Sequence, residues 1–305
     1  MLTRRSFIKK SGIAGGMLLL GPMATLGSVR EQTMRLTILH TNDTQGLLEP
    51  FPENAPQFAG MGGMQARADL IQKIRSEERN VLLFDSGDFF QGGPDFDLYQ
   101  GKPQIRAMQL MGYNAVGIGA HEFDGGMGNL ARQIQQAGFS FLCCNYNVQD
   151  SALAGRIQPY LVIVQGGLKI GVLGVSPDLK GRIPETEHKG IVYLDPIDKA
   201  NETALYLSKK QKCDFVICLS HLGLNDQVPV NDKTLAKESL HINLIIGGHS
   251  HTLLQQPLKY FNRDKEEVLI VQAAWGGTHL GRIDYLFSSK KNILSTNAQT
   301  VEIGK

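Results

Sequence analysis

From Met34 onward the chain alternates short β-branched apolar runs with amphipathic stretches of helical spacing. RLTILHT (35–41), NVLLFD (80–85), NAVGIG (114–119), FSFLCCN (139–145), KIGVLGVS (169–176), DFVICLS (214–220) and INLIIGG (242–248) predict strands. Between them GGMQARADLIQKIRSEE (62–78), QIRAMQLMG (104–112), MGNLARQIQQAG (127–138) and PIDKANETALYLSKKQ (196–211) predict helices. This order argues for an α/β architecture, with a largely parallel sheet and helices outside it. Two stretches depart from it. YLVIVQGGLKIGVLGV (160–175) reads as a hairpin turning at Gly166-Gly167, and EVLIVQAAWGGTHLGRIDYLF (267–287) as a second strand pair. The sheet is therefore expected to be mixed.

No internal repeat, low-complexity tract or linker follows the first thirty residues, so residues 33–289 are expected to form one domain and 290–305 a C-terminal tail. The turn-rich stretch from Glu49 to Gly63 is expected to be a loop beside the functional site.

The start of the chain has another character. TRRSFIKKSG followed by IAGGMLLLGPMATLG gives a basic segment, an apolar segment and small residues near Gly27 and Ser28, which marks residues 1–28 as an export signal. Arg4-Arg5 makes it the twin-arginine variant, and the expected location is periplasmic or extracellular in a bacterium. The apolar run is shorter than the roughly 20 residues of a membrane span, and no cysteine lies in it, so no stable membrane anchor is expected. Removing it takes away four basic residues and no acid, which turns a formal charge of +2 into −2. The basic bias lies in the discarded part, and nothing points to a nucleic-acid polymer as partner. The four cysteines (143, 144, 213, 218) form no CxxC pair and read as buried free thiols.

Candidate chemistry collects where the apolar runs stop. Their ends read HTNDTQ (His40, Asn42, Asp43, Gln45), FDSGD (Asp85, Asp88), GAHEFD (His121, Glu122, Asp124), LSHLG (His221) and GGHSH (His249, His251). Singly each has an ordinary reading: a helix cap, a turn residue or a hydrogen-bonded core histidine. Jointly they point to one site, since ligands of open α/β sheets bind beyond the carboxyl ends of the strands. Carboxylate and imidazole without thiolate suit first-row divalent metals. His249 and His251 are two apart, which on an extended segment turns both side chains to one face. GIGAHE lacks the third glycine of a dinucleotide fingerprint, and HEFDG lacks the second histidine of a zinc-protease helix.

ILHTND (38–43), FDSGDFFQG (84–92), GAHEFD (119–124), LSHLG (219–223) and GGHSHT (247–252), in this order, resemble the calcineurin-like metallophosphoesterases. Within them the match is to the N-terminal catalytic domain of the 5′-nucleotidase and UDP-sugar hydrolase family. The resemblance implies a four-layer αββα sandwich, two mixed sheets with helices outside, and two divalent ions of the Mn, Zn, Fe or Co class between the sheets. Asp43, Asp88 and His251 would hold the first ion and Asp88, His221 and His249 the second, with His121 as catalytic imidazole oriented by Asp124. The implied reaction is attack on a phosphoester, a nucleotide or other phosphomonoester, by a metal-activated water.

Two positions depart from the family pattern. Gln45 replaces a histidine of the first metal, and Ala120 replaces an asparagine of the second, which weakens that site unless Asn145 or Asn147 substitutes. The alternative reading is a catalytically degenerate member that binds phosphate or one metal as a subunit. The family's nucleoside-holding C-terminal domain is not in the sequence up to Lys305, so a partner chain supplying it, or broad phosphomonoester acceptance, is expected.

Overall fold

The structure, a computed structural model, describes residues 33–304 other than Asp226; the export signal expected at 1–28 lies outside them. In chain order the strands are β1 (Met34–Thr41), β2 (Val81–Asp85), β3 (Ala115–Val116), β4 (Ser140–Phe141), β5 (Tyr146–Asn147), β6 (Tyr160–Gln165) and β7 (Leu168–Val175). They continue with β8 (Val192–Tyr193), β9 (Phe215–Ser220), β10 (Leu244–Ile246), β11 (Leu258–Phe261), β12 (Glu267–Val271), β13 (His279–Phe287) and β14 (Ile293–Glu302). The α-helices are α1 (Met64–Glu77), α2 (Pro94–Tyr99), α3 (Lys102–Met111), α4 (Gly126–Gln136), α5 (Pro196–Leu205) and α6 (Asp232–Glu238).

Two six-stranded mixed sheets carry the fold, in the orders β14-β13-β1-β2-β3-β4 and β11-β12-β10-β9-β7-β6. Strand alternation decides which side chains meet. Leu36 and Ile38 of β1 face Phe215, Ile217 and Leu219 of β9 and Leu244 and Ile246 of β10 in one dry core between the sheets. The opposite faces are covered by helices. Leu39 and Leu83 pack under Ile71, Ile74, Ile105, Met108 and Leu130 of α1, α3 and α4, while Val216, Cys218 and Ile245 pack under Ala200, Ala204, Leu235 and Ala236 of α5 and α6. The result is the four-layer αββα sandwich. Burial on both faces explains why the strands read as near-continuous apolar runs.

The hairpin expected at Gly166-Gly167 forms, with both glycines at positive φ (58° and 85°) and Gln165 paired with Leu168. The second expected pair is different. β12 lies in one sheet and β13 in the other, so Gln272–Thr278 is a crossover between layers rather than a turn. Its backbone uses positive φ at Ala274, Gly276 and Gly277, and Gly276 N–H donates to the Asp43 carbonyl (2.7 Å). The segment 290–305 is a correction too. It carries the ten-residue β14, which pairs antiparallel along β13, and Ile303 is buried against the α1 layer. Its exposed, polar side chains (Ser295, Thr296, Asn297) hide a strand from hydrophobic pattern, because an edge strand buries little. All four cysteines are free; burial pushes the Cys143 thiol up to about 11, so it is inert at neutral pH.

Deleting residues 290–305 should expose the nine-residue β13 edge and the pocket of Ile303. The expected outcome is a thermal midpoint several degrees lower and a rise in aggregation, read by differential scanning calorimetry and light scattering. An unchanged midpoint would show that β14 contributes nothing.

Candidate metal centre and active site

The parallel strands β1, β2 and β3 of one sheet, and β7, β9, β10 and β12 of the other, run in register, so their carboxyl ends share one edge of the sandwich. Two loops there are zipped together by backbone bonds: Asp43 N–H to Gly87 O and Gln45 N–H to Asp88 O, both 2.9 Å. Within them Asp43, Gln45 and Asp88 have φ of 48°, 49° and 55°, and His249 and His251 of 68° and 52°. Left-handed backbone at non-glycine residues costs of order 1–3 kcal/mol each where the conformation is strained, and it clusters at functional sites. The segment Gly248–His251 is therefore a tight turn, closed by Ser250 N–H to Gly248 O (2.7 Å), and not the extended run expected from the spacing of the two histidines.

Both carboxylates are buried. Asp43 accepts from Asn42 Nδ2 (2.7 Å) and from His249 N–H (3.0 Å); burial first, and then Asp88, raises its pKa to about 7 against the pull of His221. Asp88 accepts from His121 N–H (2.9 Å); burial works against its charge, but His221 outweighs burial and holds it well below the usual range. His221 Nδ1 lies 2.8 Å from the Ser86 carbonyl, which can only accept, so Nδ1 carries a proton. Its Nε2 is fully buried, without a hydrogen-bond partner, yet 2.9 Å from Asp88 Oδ2 and 3.8 Å from Asp43 Oδ1. In neutral His221 a lone pair would thus face carboxylate oxygens. That arrangement is repulsive unless a cation stands among them, and in its place the carboxylates overcome burial and push the His221 pKa up to about 10.

Other donors complete the cluster. Asp88, His221 and His249 offer ligand atoms within 4.8 Å of one another. His251 Nε2 lies 3.6 Å from Asp43 Oδ1 and 3.2 Å from Gln45 Nε2. The six residues expected as metal-capable, Asp43, Gln45, Asp88, His221, His249 and His251, converge. Gly119 forms the floor: a Cβ there would overlap Asp88 Oδ1 and come within 2.6 Å of His221 Nε2. Burial, dense carboxylate and imidazole donors, an orphaned buried nitrogen and a side-chain-free floor all fit a divalent ion.

His121 follows at the rim. Its Nδ1 lies 2.9 Å from Asp124 Oδ2, which also accepts from Gly92 N–H (2.7 Å). The Asp124 hydrogen bond is the largest of the influences that raise the His121 pKa to about 9, so the ring is cationic at neutral pH.

Several strand-end residues do other work. His40 is buried against Gly281, where burial lowers its pKa to about 3, and Asn42 bridges Ala273 N–H and Ala274 O. Asp85 accepts from Thr41 Oγ1 (2.6 Å) and Gly87 N–H (2.8 Å). Glu122 accepts from four backbone N–H groups, those of Asp88, Phe89, Phe90 and Gly119, and so buckles the β2 and β3 loops together. Burial raises its pKa while those donors oppose the rise. Neither asparagine considered as a stand-in at Ala120 serves. Asn145 is spent on Ser176 and Leu194, and the exposed Asn147 accepts from Gln149 N–H.

Three features had no clear sequence signal. Trp275 stacks on the His251 ring (5.5 Å, 14°) and is flanked by Phe51 and Phe58, which brings the Glu49–Gly63 loop to the site. Arg182 Nη1 lies 3.0 Å from His249 Nε2. Asp232, buried on α6, accepts from the Ser220 hydroxyl just before His221, and burial raises its pKa to about 7.

The calcineurin-like phosphoesterase family profile matches residues 36–253. A 5′-nucleotidase of Vibrio cholerae is 33% identical over 90% of this chain and 53% of its own length, and a snake venom 5′-nucleotidase of Crotalus adamanteus 28% over 91% and 50%. The crystal structure of a 5′-nucleotidase precursor from Thermus thermophilus superposes with a TM-score of 0.80 at 30% identity, covering 88% of this chain and 55% of that one. The chain thus spans about half the length of the curated relatives it matches.

Gly119→Ala should wedge Asp88 and His221 apart without disturbing the sheets. The expected result, by elemental analysis alongside far-UV circular dichroism, is a native spectrum with most bound divalent metal lost. Unchanged metal content would place the ion elsewhere.

Proposed function

This chain belongs to the calcineurin-like phosphoesterase family, and from that premise we propose that it is an exported, divalent-metal-dependent hydrolase of 5′-nucleotides or similar phosphomonoesters. The observation that carries the reading is the buried meeting of Asp43, Asp88, His221, His249 and His251, with His121–Asp124 at its rim. The similarity to proteins named 5′-nucleotidases supports the substrate class. Arg4-Arg5 and the apolar run after them support export by the twin-arginine route.

In this reading Asp43, Gln45, Asp88 and His251 would hold one ion and Asp88, His221 and His249 the other, Asp88 serving both. Bound divalent ions supply Lewis-acid polarisation of phosphoryl oxygens and lower the pKa of water to near neutrality. The chain's own groups do the rest. Ser86 O fixes the His221 tautomer, so Nε2 would have its lone pair free for an ion. Glu122 ties the Asp88 loop to Gly119, which fixes the angle at which Asp88 is presented. Asp124 engages Nδ1 of His121, so the transferable proton sits at Nε2, where an imidazolium can stabilise the phosphoryl charge or protonate the leaving oxygen.

A second reading is motivated by Ala120, which offers no ligand, and by Asn145, whose amide is engaged elsewhere. It is a chain that holds phosphate or one metal and serves as a subunit beside a substrate-binding partner. Three protein ligands per ion are sufficient for many catalytic metals, which favours the hydrolase.

The test is turnover of a nucleoside monophosphate and of an aryl phosphate by Mn²⁺-, Co²⁺- or Zn²⁺-loaded protein. His121→Ala should lower kcat by about 10²–10⁴-fold with metal content retained. Absence of turnover with every metal would favour the subunit reading. The pH profile adds a signed expectation. His121 is raised and must be protonated to act, so activity should persist to mildly alkaline pH and fall as pH rises through its pKa. Asp124→Asn removes the group that raises it, and the alkaline limb should shift to lower pH; an unmoved limb would assign that limb to another group.

A further inference from the structure

We propose that Arg182 is the chain's own anion-binding residue at this site, donating its guanidinium to phosphoryl oxygens of the substrate; the inference rests on the phosphoesterase reading and names a residue outside its strand-end motifs. Arg182 sits in the segment after β7, on a turn built to hold it. Asp178 Oδ1 accepts from Lys180 N–H (3.0 Å), Arg182 and Ile183 N–H both reach Leu179 O, and Gly181 supplies a φ of +76°. Arg182 Nε donates to Asp178 O (3.1 Å), which pins the base of the fork and aims Nη1 at His249 Nε2, 3.0 Å away.

Arg182 meets His249 at one end, and farther along Glu187 packs against Gly126, at the start of α4 and two residues after Asp124. An exposed arginine therefore stands at the edge of the metal-capable cluster, on a segment that farther along reaches the start of α4. One imidazole lone pair serves a guanidinium or a cation, not both. Were His249 to give its lone pair to a metal, the Nη1–H of Arg182 would be free for a phosphomonoester dianion. Two carboxylates, Asp43 and Asp88, already offset much of the charge of any divalent ions, so an incoming dianion gains from a further fixed cation. A planar guanidinium with parallel N–H groups matches two phosphoryl oxygens.

The experiment is calorimetric titration of Mn²⁺-loaded protein with inorganic phosphate, comparing wild type, Arg182→Ala and Arg182→Lys, with metal content and steady-state kinetics of aryl phosphate hydrolysis on the same samples. Arg182→Ala should weaken phosphate binding about tenfold or more and raise KM with metal content unchanged, and Arg182→Lys should recover part of the loss. Unchanged phosphate affinity in Arg182→Ala overturns the proposal, as does a wild type that binds no phosphate. Tighter metal binding in Arg182→Ala with phosphate affinity unmoved also overturns it, making the arginine a plug on His249. Phosphate binding that depends on Arg182 in a protein without turnover would uphold this inference while removing the hydrolase reading.

Discussion

Two carboxylates, Asp43 and Asp88, are buried at the edge of two packed sheets, and a dry site of that kind cannot hold both charges without a cation. The rest of the site follows from that constraint. Positive charge on His221 answers it in the protein as it stands, which is why its pKa is raised while that of Asp88 is held low. His221 Nε2 stands 2.9 Å from Asp88 Oδ2 with its sister nitrogen committed to Ser86 O, so the position open to a proton is the one an ion would use. A divalent ion satisfies carboxylate and imidazole together, whereas a proton satisfies one of them.

The fold makes that crowding affordable by rigidity. Asp43, Gln45, Asp88, His249 and His251 are all held in left-handed backbone conformations that isolated residues avoid. They persist because the surrounding bonds overdetermine them: the loops of β1 and β2 are zipped, Glu122 clamps the β2 loop to the β3 loop, and the β12–β13 crossover is anchored on Asp43 O. Gly119 leaves the floor open where a methyl would collide. Trp275 against His251 adds a side-chain wall to this backbone frame.

Much of this was legible in the sequence. The α/β alternation and the hairpin at Gly166-Gly167 follow from runs of apolar residues and paired glycines, and the strand-end residues mark the site because each follows an apolar run directly. What was hidden has physical reasons. β14 is an edge strand with polar faces, so burial leaves no pattern in it. The 267–287 stretch reads as a strand pair because a crossover between sheets and a turn within one both use Gly-rich chain. The left-handed turn at His249–His251 looks extended because residue spacing carries no φ. Arg182 reaches the site from a loop between strands, where neither periodicity nor a motif gives it away.

The site's chemistry turns on a cation among Asp43, Asp88 and His221, and the most direct measurement is a titration of chelator-stripped protein with Mn²⁺, following ions bound per chain and the thermal midpoint together. Saturable binding that approaches two ions per chain, raises the midpoint and is lost in Asp88→Ala is the expected result. A stripped protein that takes up no ion, and whose stability ignores Mn²⁺, would contradict a metal centre here and leave His221 as the permanent counter-charge of a closed site.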